Sequence, residues 1–105
     1  MAFPEEQAVK FVQIIEYKTS RIDEIDRKTD EYIKRTEGKR ANGHAIRTKD
    51  RDNANTYVEI IEFESYEGAM RNNDLPETQE FAKVMMDLCD GEPIFRNLDV
   101  EREDD

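Results

Sequence analysis

The sequence predicts an α+β fold: one domain whose elements run β-α-β-β-α-α-β and whose four strands form an antiparallel sheet. Short runs rich in β-branched and aromatic residues alternate with longer segments in which apolar residues recur every three or four positions. Residues that favour turns separate these runs. The 105 residues are a common length for one domain and too few for two. We therefore expect one domain over 1–105, with residues 1–9 as an arm and residues 102–105 as an acidic tail.

The first strand and the first helix have the clearest local patterns. The strand over 11–17 reads FVQIIEY and is apolar on both faces, so both faces need cover. The helix is predicted to begin after Ser20, whose hydroxyl can cap a free amide, and to end at Gly38, which suits a left-handed turn. Its apolar stripe comprises Ile22, Ile25, Thr29, Tyr32, Ile33 and Thr36.

The other three strands differ in polarity. Residues 41–48 predict a weaker strand, residues 49–55 a hairpin turn, and residues 56–63 a strong strand that is again apolar on both faces. Residues 94–100 predict the last strand. Because strands two and four carry polar residues typical of sheet edges, we expect strands one and three at the centre. This is the split β-α-β arrangement of a ferredoxin-like fold.

Two helices are predicted between the third and fourth strands. Ser65 caps the first, and Asn72 and Asn73 interrupt it. The second begins at Pro76, which is tolerated in a first turn, and closes at Asp90–Gly91.

Composition restricts the partners. Leu, Ile, Val and Phe supply 22 residues and charged residues reach 40%, so the core is thin and burial against a second copy would help it. Residues 53–105 carry 15 acidic and 4 basic residues, against 11 and 12 in residues 1–52. A net charge of −10 makes nucleic acid and anionic membranes poor partners. With no membrane span and no leader, the expected location is the cytoplasm.

The sequence offers little for a metal or cofactor. One cysteine, Cys89, and one histidine, His44, are too few for an internal disulfide or a zinc site. No glycine-rich phosphate loop or nucleophile elbow is present. We therefore expect no metal and no cofactor.

The segment Phe63–Met70, FESYEGAM, followed by an interrupted helix, Pro76 and Phe81, resembles the strand–helix–helix segment of the antibiotic-biosynthesis-monooxygenase-like dimeric α/β barrels. The run NDLPETQEFA, residues 73–82, is similar to short acidic bacterial members. The resemblance covers residues 10–102. It implies a homodimer whose two sheets meet as a barrel, with a pocket in each subunit between sheet and helices.

This family includes cofactor-free oxygenases of aromatic polyketides, haem-degrading enzymes, isomerases, cyclases and stress-responsive proteins. The haem-degrading members use a tryptophan and a ligand histidine, but this chain has no tryptophan and its histidine lies elsewhere. Asn72 or Asn73 could stand for the asparagine that serves the oxygenase pocket, and nothing stands for its tryptophan.

Two residues are candidates for catalysis. His44, which alone titrates naturally near neutral pH, could act as a general base or could be a polar residue on an edge strand. Asn72 could hold a substrate oxygen, or it could end the short helix and form a turn.

Ligand contacts are expected from aromatic residues. Tyr17, Tyr57, Tyr66 and Phe81 could line a pocket for a flat molecule, although tyrosines in strands often only pack. Glu59 becomes an acid–base candidate if its face is buried, but an ion pair with Arg47 or Arg96 is the favoured interpretation.

The leading hypothesis is a homodimeric small-molecule-binding protein that resembles antibiotic-biosynthesis monooxygenases, with a cofactor-independent oxygenase of an aromatic or polyketide-like compound as its enzymatic form. The alternative is a non-catalytic dimeric protein with a role in binding or stress response.

Overall fold

A computed structural model describes residues 10–41 and 43–105; the predicted arm over residues 1–9 lies outside them. The elements follow the predicted order. They are β1 Phe11–Lys18, α1 Ile22–Arg35, β2 Gly43–Lys49, β3 Thr56–Phe63, α2 Tyr66–Asn73, α3 Pro76–Leu88 and β4 Ile94–Asp99.

The four strands form one antiparallel sheet in the order β2-β3-β1-β4. The predicted ferredoxin-like α+β arrangement is confirmed, with β1 and β3 at the centre. The register aligns Ile46 with Ile60, Ile60 with Ile14, and Ile14 with Arg96, so these four residues form one row across the sheet. Residues in such a row share a face of the sheet.

The helices cover one face of the sheet, where the core lies. Ile25 of α1 and Leu88 of α3 pack with Tyr17 and Tyr57 in one buried cluster. Phe11 and Phe63 pack with Ala69 of α2 in a second. Full burial of a side chain such as Ile25, which is 0% exposed, contributes about 1.5–3 kcal/mol. The helices are thus fixed at two places on the same face.

The opposite face of the sheet carries aliphatic residues among charged ones and is not covered by any element of the described chain. Ile46, Ile94 and Leu98 are exposed, at 41%, 48% and 42%. The central strands add half-buried aliphatic residues to this outer face, namely Val12, Ile14, Val58 and Ile60.

The start of α1 differs from the prediction. Ser20 does not cap the helix; Arg21 occupies the N-cap position and makes no side-chain cap. Instead, the neighbouring Thr19 hydroxyl accepts a hydrogen bond from the Arg21 amide at 2.9 Å and donates to the Leu88 carbonyl at 2.7 Å. Thr19 is fully buried between β1 and the end of α3. The hydroxyl one position earlier therefore fixes this loop.

Other predicted turns are confirmed. Ser65 caps α2 by accepting a hydrogen bond from the Gly68 amide at 3.0 Å. Gly38 and Gly91 follow α1 and α3 with φ of 80° and 98°, which only glycine adopts without strain. In the β2–β3 hairpin, the Asp50 carboxylate accepts hydrogen bonds from the two following amides at positions 52 and 53. In the described part of the chain, none of the helices combines the length and the apolar character needed to cross a membrane.

Candidate functional site

A cavity of about 450 Å³ lies between the sheet and the helices. This volume is within the range of pockets that hold small organic molecules. Its floor comes from β1 and β3, and its opposite wall comes from α1, α3 and the end of α2. The residues of the floor are Gln13, Ile15, Tyr17, Glu59, Ile61 and Phe63, and those of the helical wall include Tyr32, Ile33, Asn72, Phe81 and Met85.

The helical wall presents a rigid aromatic surface. The rings of Tyr32 and Phe81 are stacked, with their centroids 4.5 Å apart and their planes 14° from parallel. The Tyr32 hydroxyl shares a hydrogen bond of 2.8 Å with the Thr78 hydroxyl. The Arg40 guanidinium lies 6.0 Å from the centre of the Tyr32 ring. The helical wall of the cavity therefore contains a stacked aromatic pair whose position is fixed by these contacts.

Asn72 brings an unsatisfied polar atom to this cavity. Its side-chain oxygen Oδ1 is buried and has no hydrogen-bond donor in the described residues. The main-chain carbonyl of Asn72 accepts from the Leu75 amide at 3.2 Å, so the backbone forms the turn after α2 and the side chain is not needed for it. Leaving such an atom unpaired costs about 1–3 kcal/mol. This oxygen is closed to solvent, so a donor on a bound molecule reaches it only when the Asn72 amide turns toward the cavity.

The floor carries a hydrogen-bonded pair from the two central strands. The Tyr17 hydroxyl donates to Glu59 Oε2 at 2.9 Å. Arg47, the register partner of Glu59 on β2, forms its ion pair with Asp26 of α1 and lies 5.8 Å from the centre of the Tyr57 ring.

The surroundings of Tyr17 and Arg47 change the pKa values of both side chains. Burial and the negative charge of Glu59 raise the pKa of Tyr17 far above its usual range, against a smaller lowering effect of Arg47. The hydrogen bond to Asp26 raises the pKa of Arg47. Tyr17 therefore remains a neutral hydroxyl that donates to Glu59 and cannot take up a proton from a ligand.

The predicted ion pair of Glu59 is wrong for both of its expected partners. Arg47 is held by Asp26 on the helix above the sheet. Arg96 is in register with Ile14 and therefore lies on the outer face. The alternative, in which the carboxylate faces the interior, agrees with the structure, because Glu59 lines the cavity and is half-buried.

Solved structures share this architecture. A candidate antibiotic biosynthesis monooxygenase from Caulobacter crescentus superposes with a TM-score of 0.76 at 10% identity, covering 90% of this chain and 92% of that one. A variant of SnoaB, a cofactor-independent oxygenase from Streptomyces nogalater, superposes with a TM-score of 0.75 at 11% identity, covering 90% of this chain and 95% of that one. A conserved protein from Methanosarcina mazei superposes with a TM-score of 0.74 at 10% identity, covering 87% of this chain and 92% of that one.

This chain has the fold of the antibiotic biosynthesis monooxygenases. The resemblance drawn from residues 63–82 is thereby confirmed for the fold. At these identities the likeness concerns the fold alone. No protein-family model matches the sequence, and no curated protein matches it.

Within this monooxygenase-type fold, the predicted site residues separate into two groups. Tyr17, Asn72 and Phe81 line the cavity. Tyr57 is buried behind Tyr17, with ring centroids 5.7 Å apart, and does not reach the cavity.

Tyr66 and His44 lie apart from this group. Tyr66 is 50% exposed and packs edge-on against Phe11, at 5.3 Å between centroids, away from the cavity. His44 borders the cavity at β2, but its register partner is Glu62, and both residues belong to the outer face. The adjacent Gly43 pairs with the core residue Phe63, which fixes this assignment.

Several cavity residues were not predicted. Gln13 and Phe95 come from β1 and β4, and Met85, Met86 and Cys89 come from the end of α3. Gln13 had a usable signal, since it is the one polar residue between the apolar residues of FVQII. No group of three His, Cys, Asp or Glu side chains suited to a metal ion forms within residues 10–41 and 43–105.

Proposed function

We propose that this protein is a homodimer that binds a flat, mostly apolar small molecule in the cavity of each subunit. The observation that carries the proposal is the cavity itself: about 450 Å³ of space with an aromatic wall and a buried, unpaired oxygen of Asn72. An aromatic compound with a hydroxyl or amino group matches these features. Its ring would lie beside Phe81 and Tyr32, and a donor on it would meet Asn72 once that amide turns toward the cavity.

The outer face of the sheet supports the dimer. Its aliphatic row runs across β2, β3 and β1 through Ile46, Ile60 and Ile14. Burial of such a face against a second copy would yield about 25 cal/mol for each Å² of apolar surface removed from water. This is the second source of burial that the thin core calls for.

The enzymatic form of the proposal is a cofactor-independent oxygenation, the activity named for SnoaB. Dioxygen would convert an activated methylene of the bound aromatic compound to a carbonyl. One oxygen atom enters the carbonyl, and the other leaves as water with the two methylene hydrogens. Asn72 is the residue we propose to hold the reacting molecule, because His44 belongs to the outer face.

The alternative is a dimer that binds the same class of molecule without converting it. The missing tryptophan favours this alternative, since no residue of the chain replaces it. The unpaired Asn72 oxygen favours the enzyme. Oxygen uptake in the presence of an anthrone, which has such a methylene, measured with an oxygen electrode, distinguishes the two.

Calorimetric titration with naphthol tests the binding site. Ala45 lines the cavity, so Ala45→Phe should fill it and abolish binding, whereas Ala54→Phe in the exposed hairpin should bind as the wild type does. Equal binding by wild type and Ala45→Phe would contradict the proposed site.

A further inference from the structure

Glu59 has an unusual place in the cavity. It is the acidic residue of the lining and lies in the middle of the floor, on the central strand β3. Arg40, the arginine of the lining, follows α1 and lies over the Tyr32 ring on the other wall. The floor thus presents a carboxylate with apolar neighbours on its own strand face, Tyr57 and Ile61.

The hydrogen bonds of Glu59 leave part of its carboxylate free. Tyr17 donates to Oε2 at 2.9 Å, and this is the hydrogen bond that the described residues give to the Glu59 side chain. A carboxylate has about four acceptor positions on its two oxygens. Acceptor positions therefore remain on the carboxylate of Glu59, which lines the cavity.

The cation that could neutralise Glu59 is engaged elsewhere. Arg47 is its register partner, yet the guanidinium is held by Asp26 from α1. The Arg47 guanidinium pairs with Asp26, and Glu59 has no ion pair among the described residues, although the charge of Arg47 still acts on Tyr17 and Glu59. A half-buried carboxylate in this state attracts a hydrogen-bond donor and repels an anion.

We propose that Glu59 selects the ligand: its carboxylate, held in place by Tyr17, accepts a hydrogen bond from a hydroxyl or amino group and excludes molecules that carry a carboxylate. Glu59 is the ligand-contacting residue, and Tyr17 is a positioning residue that acts through it. This inference rests on the proposed binding function. It gives the floor of the cavity a charged acceptor.

Three probes of the same shape test the selection: β-naphthol, β-naphthyl methyl ether and β-naphthoate. All three have the same ring system: the naphthol carries a hydrogen-bond donor, the ether carries none, and the naphthoate carries a negative charge. Affinities measured by calorimetry should fall in that order, with naphthol at least about tenfold tighter than the ether, as expected for a hydrogen bond to a charged group.

Glu59→Gln should reduce the ratio of naphthol to ether affinity toward one and should improve the binding of naphthoate. The ether affinity should stay unchanged, because the side chain keeps its shape. Glu64→Gln, a matched change at the exposed residue after β3, should leave all three affinities at wild-type values. Tyr17→Phe should lower the naphthol-to-ether ratio in part, which a purely structural role of Tyr17 would not do.

The outcomes separate this inference from the proposed function. If naphthol and the ether bind equally well, or if Glu59→Gln keeps the wild-type ratio, the role of Glu59 is overturned while the cavity remains a binding site. If none of the three probes binds, both proposals fail. If circular dichroism shows that Glu59→Gln is unfolded, the ratio of naphthol to ether affinity in Tyr17→Phe alone tests the role of Glu59.

Discussion

The Tyr17 hydroxyl and the Glu59 carboxylate join the two central strands by a hydrogen bond of 2.9 Å beneath the cavity. Burial and the charge of Glu59 raise the pKa of Tyr17 far above its usual range. In the unfolded chain a tyrosine loses its proton near pH 10. Above that pH the unfolded state therefore binds fewer protons than the folded state, and the folded state loses stability as pH rises.

We expect the free energy of unfolding to fall more steeply above about pH 10 in the wild type than in Tyr17→Phe. Below that pH the contribution of Tyr17 is fully present and does not vary. Urea unfolding followed by circular dichroism, from neutral pH to about pH 11, measures both slopes. Tyr66→Phe changes an exposed tyrosine and serves as the control. A Tyr17→Phe slope equal to that of the wild type would contradict the buried pair.

Much of the fold was predictable because alternation and turn residues agree with each other. The runs FVQIIEY and TYVEIIEF are apolar at successive positions, which is typical of central strands, and both strands are central in the sheet. The Ser65 cap and the glycines after α1 and α3 fixed the helix ends for local steric reasons. The predicted cap by Ser20 is wrong because its neighbour Thr19 fixes the loop through a hydrogen bond to Leu88, a contact between distant positions that a local sequence pattern does not reveal.

The site was less predictable because it depends on which sheet face meets the helices. Alternation placed His44 with Ile46 and Thr48, but both faces were apolar and either could have formed the pocket. In the structure Arg47 lies on the face of the sheet that meets the helices, where it pairs with Asp26 of α1. The ion pair of Arg47 is therefore with Asp26 and not with Glu59. Competition between two carboxylates from different elements for one arginine cannot be predicted from spacing.

The outer face of the sheet predicts a dimer in solution. Sedimentation equilibrium should give twice the 12.4 kDa of one chain. Ile46→Glu places a charge on this face and should shift the protein to monomer. Ile33→Glu is the matched control, since Ile33 is 40% exposed against 41% for Ile46 but lies on α1, on the cavity side. A wild-type monomer at micromolar concentration would contradict the dimer.

Cys89 is predicted to be unreactive. Burial raises its pKa, with a further rise from the charge of Asp90 and a smaller opposing effect of Arg21. A raised pKa means less thiolate at a given pH, so iodoacetamide should modify the folded protein several-fold more slowly than the urea-unfolded chain. The chain has one cysteine, so the rate reports this residue alone.

Cys89 lines the cavity as a small apolar group, and Cys89→Ala should keep naphthol affinity and any oxygen uptake. Loss of uptake in Cys89→Ala, with an unchanged circular dichroism spectrum, would assign the thiol a chemical role.

Thr19 should be the polar residue whose loss most affects stability. Its buried hydroxyl accepts a hydrogen bond from the Arg21 amide and donates one to the Leu88 carbonyl. Leu88 is the last residue of α3, so its carbonyl has no hydrogen-bond donor from a later turn of that helix. Thr19→Val keeps the shape and removes both hydrogen bonds. We expect the free energy of unfolding to fall by about 1–3 kcal/mol, the cost of buried groups left unpaired.

Thr48→Val is the matched control for Thr19→Val. The Thr48 hydroxyl also donates to a carbonyl, that of Val58 at 2.9 Å, but Thr48 is exposed and water can replace the hydroxyl. Its free energy of unfolding should change by less than about 0.5 kcal/mol. Urea denaturation at neutral pH gives both values. Equal losses in the two variants would mean that Thr19 does not fix the loop after β1, and that apolar packing and the remaining hydrogen bonds, from the Asp90 amide to the Lys18 carbonyl and from Arg21 to the Asp87 carbonyl, hold the end of α3.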